Sequence, residues 1–399
     1  MNLEGQIEID ITVHTMNGKK DVSIINNRPV QAAQLLVGKS VDEVLSLIPM
    51  LFHVCGKAQG AAAVRAITAA KGLPVDESLS RARAALVDIE FLREHLLRIF
   101  LDWPKHFPDG AGLVSQKALQ SLMQSGPRFE SALFGTTKPF SLFPNFHPNW
   151  TEVEALLEDF DQLLTATVFG SASDDWLAAN TGDGALDWCR TGESVAARAC
   201  RQIIDNGWAG EGVTDVPFLP ELSAEDVYHL LFDADASAFV AAPTWQGRAH
   251  ETSCFSRCFN HPLLESVLAF SGPGLLARYM ARLVEIAVVF ARLRDGVKDL
   301  KTMAGGDSHL TPSFAKDIGI GLVEASRGLL AHGVQLDGDK IAQYRILAPT
   351  EWNFNDMGPL VCALQNIKGT GLAQIKQIAD VIVPAIDPCT QTKLEARYA

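Results

Sequence analysis

The chain has 399 residues, 47% hydrophobic and 20% charged, enough for two or three domains or one large core with an attached lobe. A formal charge of −13 and a pI near 5.2 argue against nucleic acid, which demands a basic face, and against an anionic membrane surface. The opening MNLEGQIEIDITV carries acids where a signal peptide carries Lys or Arg, and no apolar run reaches the length of a membrane span. A cytoplasmic location is therefore expected, with no nucleic acid and no membrane as partner.

Residues 6–14 (QIEIDITVH) alternate with period two and predict a strand, Asn17-Gly18 predicts a turn, and 21–25 predict the returning strand. Ser40-Val41-Asp42-Glu43 is a capping box opening an amphipathic helix through about Phe52. Next, His53-Val54-Cys55-Gly56 feeds an alanine-rich helix, whose small residues suit close packing at the centre of the molecule. Residues 77–102, 150–167 and 274–299 predict long helices by their 3.6-residue period, the last apolar around most of its circumference. Stretches near 168–185 and 303–312 predict loops by their Gly, Ser, Asp and Pro content. Residues 328–347 predict a hairpin around Asp337-Gly338-Asp339-Lys340, followed by irregular chain and two short helices. The expected fold is α+β, mainly α: a hairpin lobe over 1–38, a helical bundle with loops over 39–320, and a C-terminal hairpin lobe over 321–399, in one unit. In that arrangement the Cys55 turn and the Cys389 tail meet.

Seven cysteines, an odd number spread widely, argue for reduced thiols rather than a disulfide framework. Cys200 and Cys362 read as small buried hydrophobes. Cys254 and Cys258, flanked by His250 and His261, loosely meet zinc spacing but lack a second cysteine pair. His53, His95 and His106 read as helix or loop residues satisfied by neighbours. Ser308-His309 has no G-x-S-x-G turn around it, so nucleophilic hydrolysis gains no support.

Five segments in order carry a resemblance. HVCG (53–56) and DPC (387–389) resemble the first halves of the two cysteine motifs of nickel–iron hydrogenase large subunits, R-x-C-G-x-C and D-P-C-x-x-C. EASRGLLAHGVQLDGDKIAQYRILAPTEWN (324–353) is similar to that family's A-P-R-G…H…G-K-I…Y…V-P-[ST]-x-W-N stretch. LEGQIEIDITV (3–13) resembles its opening strand, and HETSCFSR (250–257) stands where it has E-x-G-P-L-A-R.

The departures are specific. The second cysteine of each motif is replaced, by Ala58 and by Thr392, so both bridging positions are lost and both terminal ones remain. Neither alanine nor threonine supplies the soft sulfur that nickel and low-spin iron require. Arg28-Pro29-Val30-Gln31 stands where the family has R-G-x-E, and the Gln31 amide cannot relay protons. Ser326 replaces the proline before Arg327. The C-terminal histidine that would join Glu4 around a structural divalent ion is absent, so that ion is not expected.

The chain thus resembles the non-catalytic hydrogenase accessory proteins of the HupK/HoxV type. The resemblance implies a maturation scaffold holding an Fe(CN)2CO fragment, a transient iron cargo, on Cys55 and Cys389, with Arg327 and Thr350 contacting the diatomic ligands. Nickel is not expected. Implied partners are the hydrogenase large-subunit precursor and iron-delivery maturation chaperones. Two alternatives stay open: a hydrogenase-like enzyme or hydrogen sensor with a reduced nickel–iron site, and a metal-free protein that docks on or protects the hydrogenase.

Overall fold

The structure, a computed structural model, describes residues 5–27, 30–233, 236–303, 308–310 and 315–399. Glu4 and Arg28-Pro29 lie outside the described residues, as do the side chains of Gln31, Ser308 and His309. Strands β1 (Gln6–Val13) and β2 (Lys20–Asn26) form the predicted antiparallel hairpin, with Ile7, Ile9, Ile11 and Val13 buried on one face. A 3-10 helix (Val30–Leu36) leads to α1 (Val41–Leu51), where the Ser40 and Glu43 side chains cap each other's backbone.

Helix α2 (Gly56–Ala70) starts directly after Cys55, β3 (Pro74–Asp76) follows, and Asp76 caps α3 (Glu77–Leu97). The long helix predicted to 102 changes pitch at Arg98, where a π turn (Arg98–Asp102) runs into α4 (Trp103–His106). Then come α5 (Gln116–Phe134) and α6 (Trp150–Leu164), the latter extended by a second π turn to Phe169. Helices α7 (Ser173–Ala179) and α8 (Gly184–Thr191) occupy much of the stretch predicted as loop. Buried Trp176, packed against Phe169 and Trp188, anchors them there, which a count of Gly, Ser and Asp does not register.

After α9 (Val195–Asp205), the short helices α10 (Ala224–Phe232), α11 (Ala236–Ala241), α12 (Cys254–Cys258) and α13 (Leu264–Ser271) lead to α14 (Leu275–Thr302). Strand β4 (Ser308–Leu310) pairs with β3, inside another predicted loop. Strands β5 (Ile318–Ala325), β6 (Gly328–Asp337) and β7 (Lys340–Leu347) make an antiparallel sheet in that order, the predicted hairpin being its second half. Helices α15 (Pro349–Asn353), α16 (Pro359–Gln365) and α17 (Leu372–Ile386) precede the final strand β8 (Gln391–Tyr398).

The alanine run of α2 has the expected consequence. Gly319 and Gly321 of β5 lie so close to it that an added Cβ would overlap the carbonyls of Ala66 and Ala62. Sheet and helix therefore pack backbone to backbone, with α2 almost wholly buried. The C-terminal end was not foreseen in full: β8 runs parallel to β1 and completes a sheet of order β2-β1-β8. Among the described residues no single helix is long and apolar enough to cross a membrane.

Candidate functional site

Cys55 ends a short 3-10 turn (His53–Cys55) at the head of α2, while Cys389 follows α17 in the turn before β8. Both thiols are half-buried. Burial, then the nearby charges of Cys389 and Glu90, push the Cys55 thiol up to about 12, with Arg327 acting the other way. The two cysteines expected to meet are therefore within electrostatic reach of each other and of Arg327.

Arg327 occupies the tight connection between β5 and β6 and is 5% exposed. Its Nη2 donates to Glu94 Oε2 at 3.1 Å and its Nε to Asp387 Oδ1 at 3.2 Å. Its Nη1 is buried and has no hydrogen-bond partner. The neighbouring Gly328, at φ 133°, packs its backbone against Thr252, where a Cβ would clash. Asn353 fastens the same place by accepting from Thr252 N–H at 3.1 Å and donating to its carbonyl at 2.7 Å. Thr350, buried at the start of α15, donates its hydroxyl to Cys389 Sγ at 3.1 Å, so its donor is engaged with the sulfur itself.

Asp387 holds the C-terminal motif in place. It closes α17 in the left-handed region (φ 69°), which turns the chain sharply toward Cys389. Three arginines converge on its carboxylate: Arg98 Nε at 2.9 Å, Arg327 Nε at 3.2 Å and Arg282 Nη2 at 3.3 Å. Burial opposes the charge, but these guanidiniums outweigh it and hold the carboxyl well below the usual range. Arg98 also donates to the Pro388 carbonyl at 2.9 Å. On the Cys55 side, Glu90 accepts from the backbone N–H groups of Lys57 and Ala58, at 2.7 and 3.0 Å, capping α2. Burial pushes Glu90 up to about 7 against those hydrogen bonds, with Glu94 adding to the rise.

Sequence reasoning missed Glu90, Glu94, Arg98, Arg282 and Gln59. A signal was present: Glu90, Glu94 and Arg98 recur every four residues on a helix that is otherwise apolar on that side, as do Arg278 and Arg282 on α14. Charges at such spacing on a buried face must find partners.

Other candidates fall elsewhere. Cys254 and Cys258 are buried thiols in α12, and burial raises both, Cys254 to about 12. His250 and His261 turn ring nitrogens to the backbone, at Arg248 O and Leu263 N. Cys200 is buried as expected, its sulfur 3.8 Å from Met280 Sδ, but Cys362 is half-exposed and donates to Asp215. His95 lies in the core with Nε2 3.0 Å from Glu285, and its Nδ1 is unpartnered, so neighbours satisfy it only in part. Thr392 is exposed on β8 opposite Ile7.

Among the described residues no three His, Cys, Asp or Glu side chains converge as a metal-holding group. At this site the protein offers two thiols, a hydroxyl and a guanidinium N–H without a partner, while Asp387 and Glu94 are taken up by arginines and Glu90 by the backbone of α2. A metal held here must bring further ligands of its own, and those nearest Arg327 must accept hydrogen bonds. Soft sulfur donors and an unspent cationic donor fit a low-valent metal carrying small anionic ligands better than a hard, bare cation.

Residues 211–391 match the nickel-dependent hydrogenase family. The fold is similar to the nickel–iron–selenium hydrogenase of D. vulgaris Hildenborough, with a TM-score of 0.66 over 94% of each chain at 17% identity. The hydrogenase expression/formation protein HupK of Bradyrhizobium diazoefficiens is 30% identical over 100% of this chain and 99% of its own. HoxV of Cupriavidus necator, also a hydrogenase expression/formation protein, is 30% identical over 93% of this chain and 92% of its own. The chain has the fold of a hydrogenase large subunit, and by sequence it belongs to the HoxV/HupK family of hydrogenase expression/formation proteins.

Proposed function

We propose that this protein is a non-catalytic scaffold of hydrogenase maturation, which holds an Fe(CN)2CO fragment for transfer to the hydrogenase large-subunit precursor. Cys55 and Cys389 ligate the iron, Arg327 donates to a cyanide nitrogen, and the Thr350 hydroxyl serves the sulfur of Cys389 or turns to a second cyanide. The names of the HupK and HoxV relatives support a maturation role. One observation carries the cargo assignment: Arg327 Nη1 is buried with no partner, on a guanidinium within electrostatic reach of both thiols, although every other polar atom of that guanidinium is used. A buried N–H left unspent costs stability unless something occupies it.

The lost bridges supply the second half of the reading. Two thiolates without the bridging pair can hold an iron fragment but cannot close a nickel–iron site around it, which suits a fragment in transit. Position 58 is a buried alanine and position 392 an exposed threonine, so neither returns a ligand. The fragment arrives from iron-delivery maturation proteins and leaves with the precursor as client.

Infrared spectroscopy tests this on protein purified without oxygen after co-expression with hydrogenase maturation proteins. Cyanide and carbonyl stretches should be present in the wild type and lost in Cys55→Ser and in Cys389→Ser. A wild type without such bands sinks the scaffold reading. Bands accompanied by stoichiometric nickel point instead to a reduced hydrogenase site.

A further inference from the structure

Gln59 stands one residue beyond Ala58, and its side chain reaches back over the first turn of α2. Its Nε2 lies 3.6 Å from Cys55 Sγ and its Oε1 2.8 Å from His332 Nε2. His332 Nδ1 in turn lies 2.8 Å from the Tyr344 hydroxyl. Gln59, His332 and Tyr344 are 2%, 0% and 4% exposed, so water does not compete for these contacts. The row crosses from α2 to β6 and β7 and ends on the sulfur.

The chemistry of its ends determines where the protons sit. A metal-bound thiolate carries no proton and can only accept, so the amide N–H of Gln59 must face it. The amide oxygen then accepts from His332, which places the single imidazole proton on Nε2. Nδ1 is left as an acceptor, and the Tyr344 hydroxyl fills it. Burial pushes His332 down to about 3, keeping the ring neutral with one proton to place.

We propose that Gln59, aligned by His332 and Tyr344, is a positioning residue that donates to the Cys55 sulfur and loosens its hold on the iron cargo. This rests on the scaffold reading above. A hydrogen bond to a thiolate withdraws density from sulfur, so the iron returns less density to its carbonyl and cyanide ligands and their stretches lie higher. A weaker sulfur donor also gives the fragment up sooner. The three side chains thus give Cys55 a built-in bias toward release.

The test uses Gln59→Met, which keeps length and loses the donor, and Tyr344→Phe, both loaded by co-expression as above. The carbonyl band should move to lower wavenumber in Gln59→Met and by a smaller step in Tyr344→Phe. Loss of the fragment on adding the large-subunit precursor should be slower in Gln59→Met. Bands present at wild-type positions in folded Gln59→Met overturn this proposal alone and leave the scaffold intact. A wild type without bands removes the scaffold and this proposal together. A second measurement reads the ring itself: nitrogen-15 histidine spectra of the loaded protein should show His332 protonated on Nε2, assigned by its loss in His332→Gln. Protonation on Nδ1 overturns the proposed direction of donation.

Discussion

Replacing Asp387 with asparagine tests whether the C-terminal motif is held electrostatically. Asp387 is 4% exposed, and Arg327 and Arg282, two of the three arginines on its carboxylate, are 5% and 1% exposed. The asparagine keeps the size but turns an NH2 toward one or two guanidiniums and removes the only charge that Arg282 meets in an ion pair among the described residues. Breaking a buried pair from one side costs about 3–5 kcal/mol, because the partner charge stays behind. Two arginines keep a second carboxylate, Arg98 on Asp102 and Arg327 on Glu94, so the lower end of that range is expected. Urea unfolding followed by circular dichroism at pH 7 measures it, with wild type and variant compared at equal slope. The pH dependence gives an independent check. The folded carboxyl is held below its ordinary value near 3.8, so its contribution is present above that value and lost as pH falls toward the folded one. The gap between wild type and Asp387→Asn should therefore be constant near neutrality and close below about pH 4. A gap under about 1 kcal/mol at pH 7, or one that does not close in acid, refutes the argument that the arginines depend on this charge.

Two further changes probe the frame around the site. Gly321→Ala forces a Cβ into the Ala62 carbonyl, and a backbone neighbour cannot yield, so a loss near the upper end of the usual 1–3 kcal/mol for overpacking, about 3 kcal/mol, is expected in thermal unfolding. An unchanged midpoint would mean β5 is not seated on α2 as described. Glu90 is an acid whose folded value is raised from 4.5 to about 7, so its favourable contribution is complete below 4.5 and is lost as pH rises to about 7. Glu90→Gln, which leaves one N–H of Lys57 or Ala58 without an acceptor at every pH, should fall short of wild type most at pH 4.5 and least above pH 7. A gap that widens with pH would show that the Glu90 charge is stabilised rather than penalised.

Much of the architecture was legible because its causes are local. The Ser40–Glu43 capping box, the turn at Asn17-Gly18, the hairpin at Asp337–Lys340 and the periodicity of α3 and α14 act within a few residues, and each appears where expected. The failures share one cause. Helices α7 and α8 are held by tryptophan packing and β8 by pairing with a strand nearly the whole chain away, and such partners leave no mark in the local sequence.

The candidate site divides the same way. Cys55, Cys389, Arg327 and Thr350 could be named from the sequence because they sit in motifs whose order along the chain is itself informative. That Arg327 keeps one N–H free, that Asp387 gathers Arg98 and Arg282 from helices far apart in sequence, and that Gln59 ties Cys55 to His332 and Tyr344 follow only from the packing of α2 on β5 and β6 and of α14 against α3 and α17. The sequence by itself determined which of the family's cysteines were kept and which were replaced, since a side chain's chemistry is a property of one residue. Tertiary structure decided which charges are spent on one another and which donor is left over, since that depends on burial, and burial belongs to the whole fold.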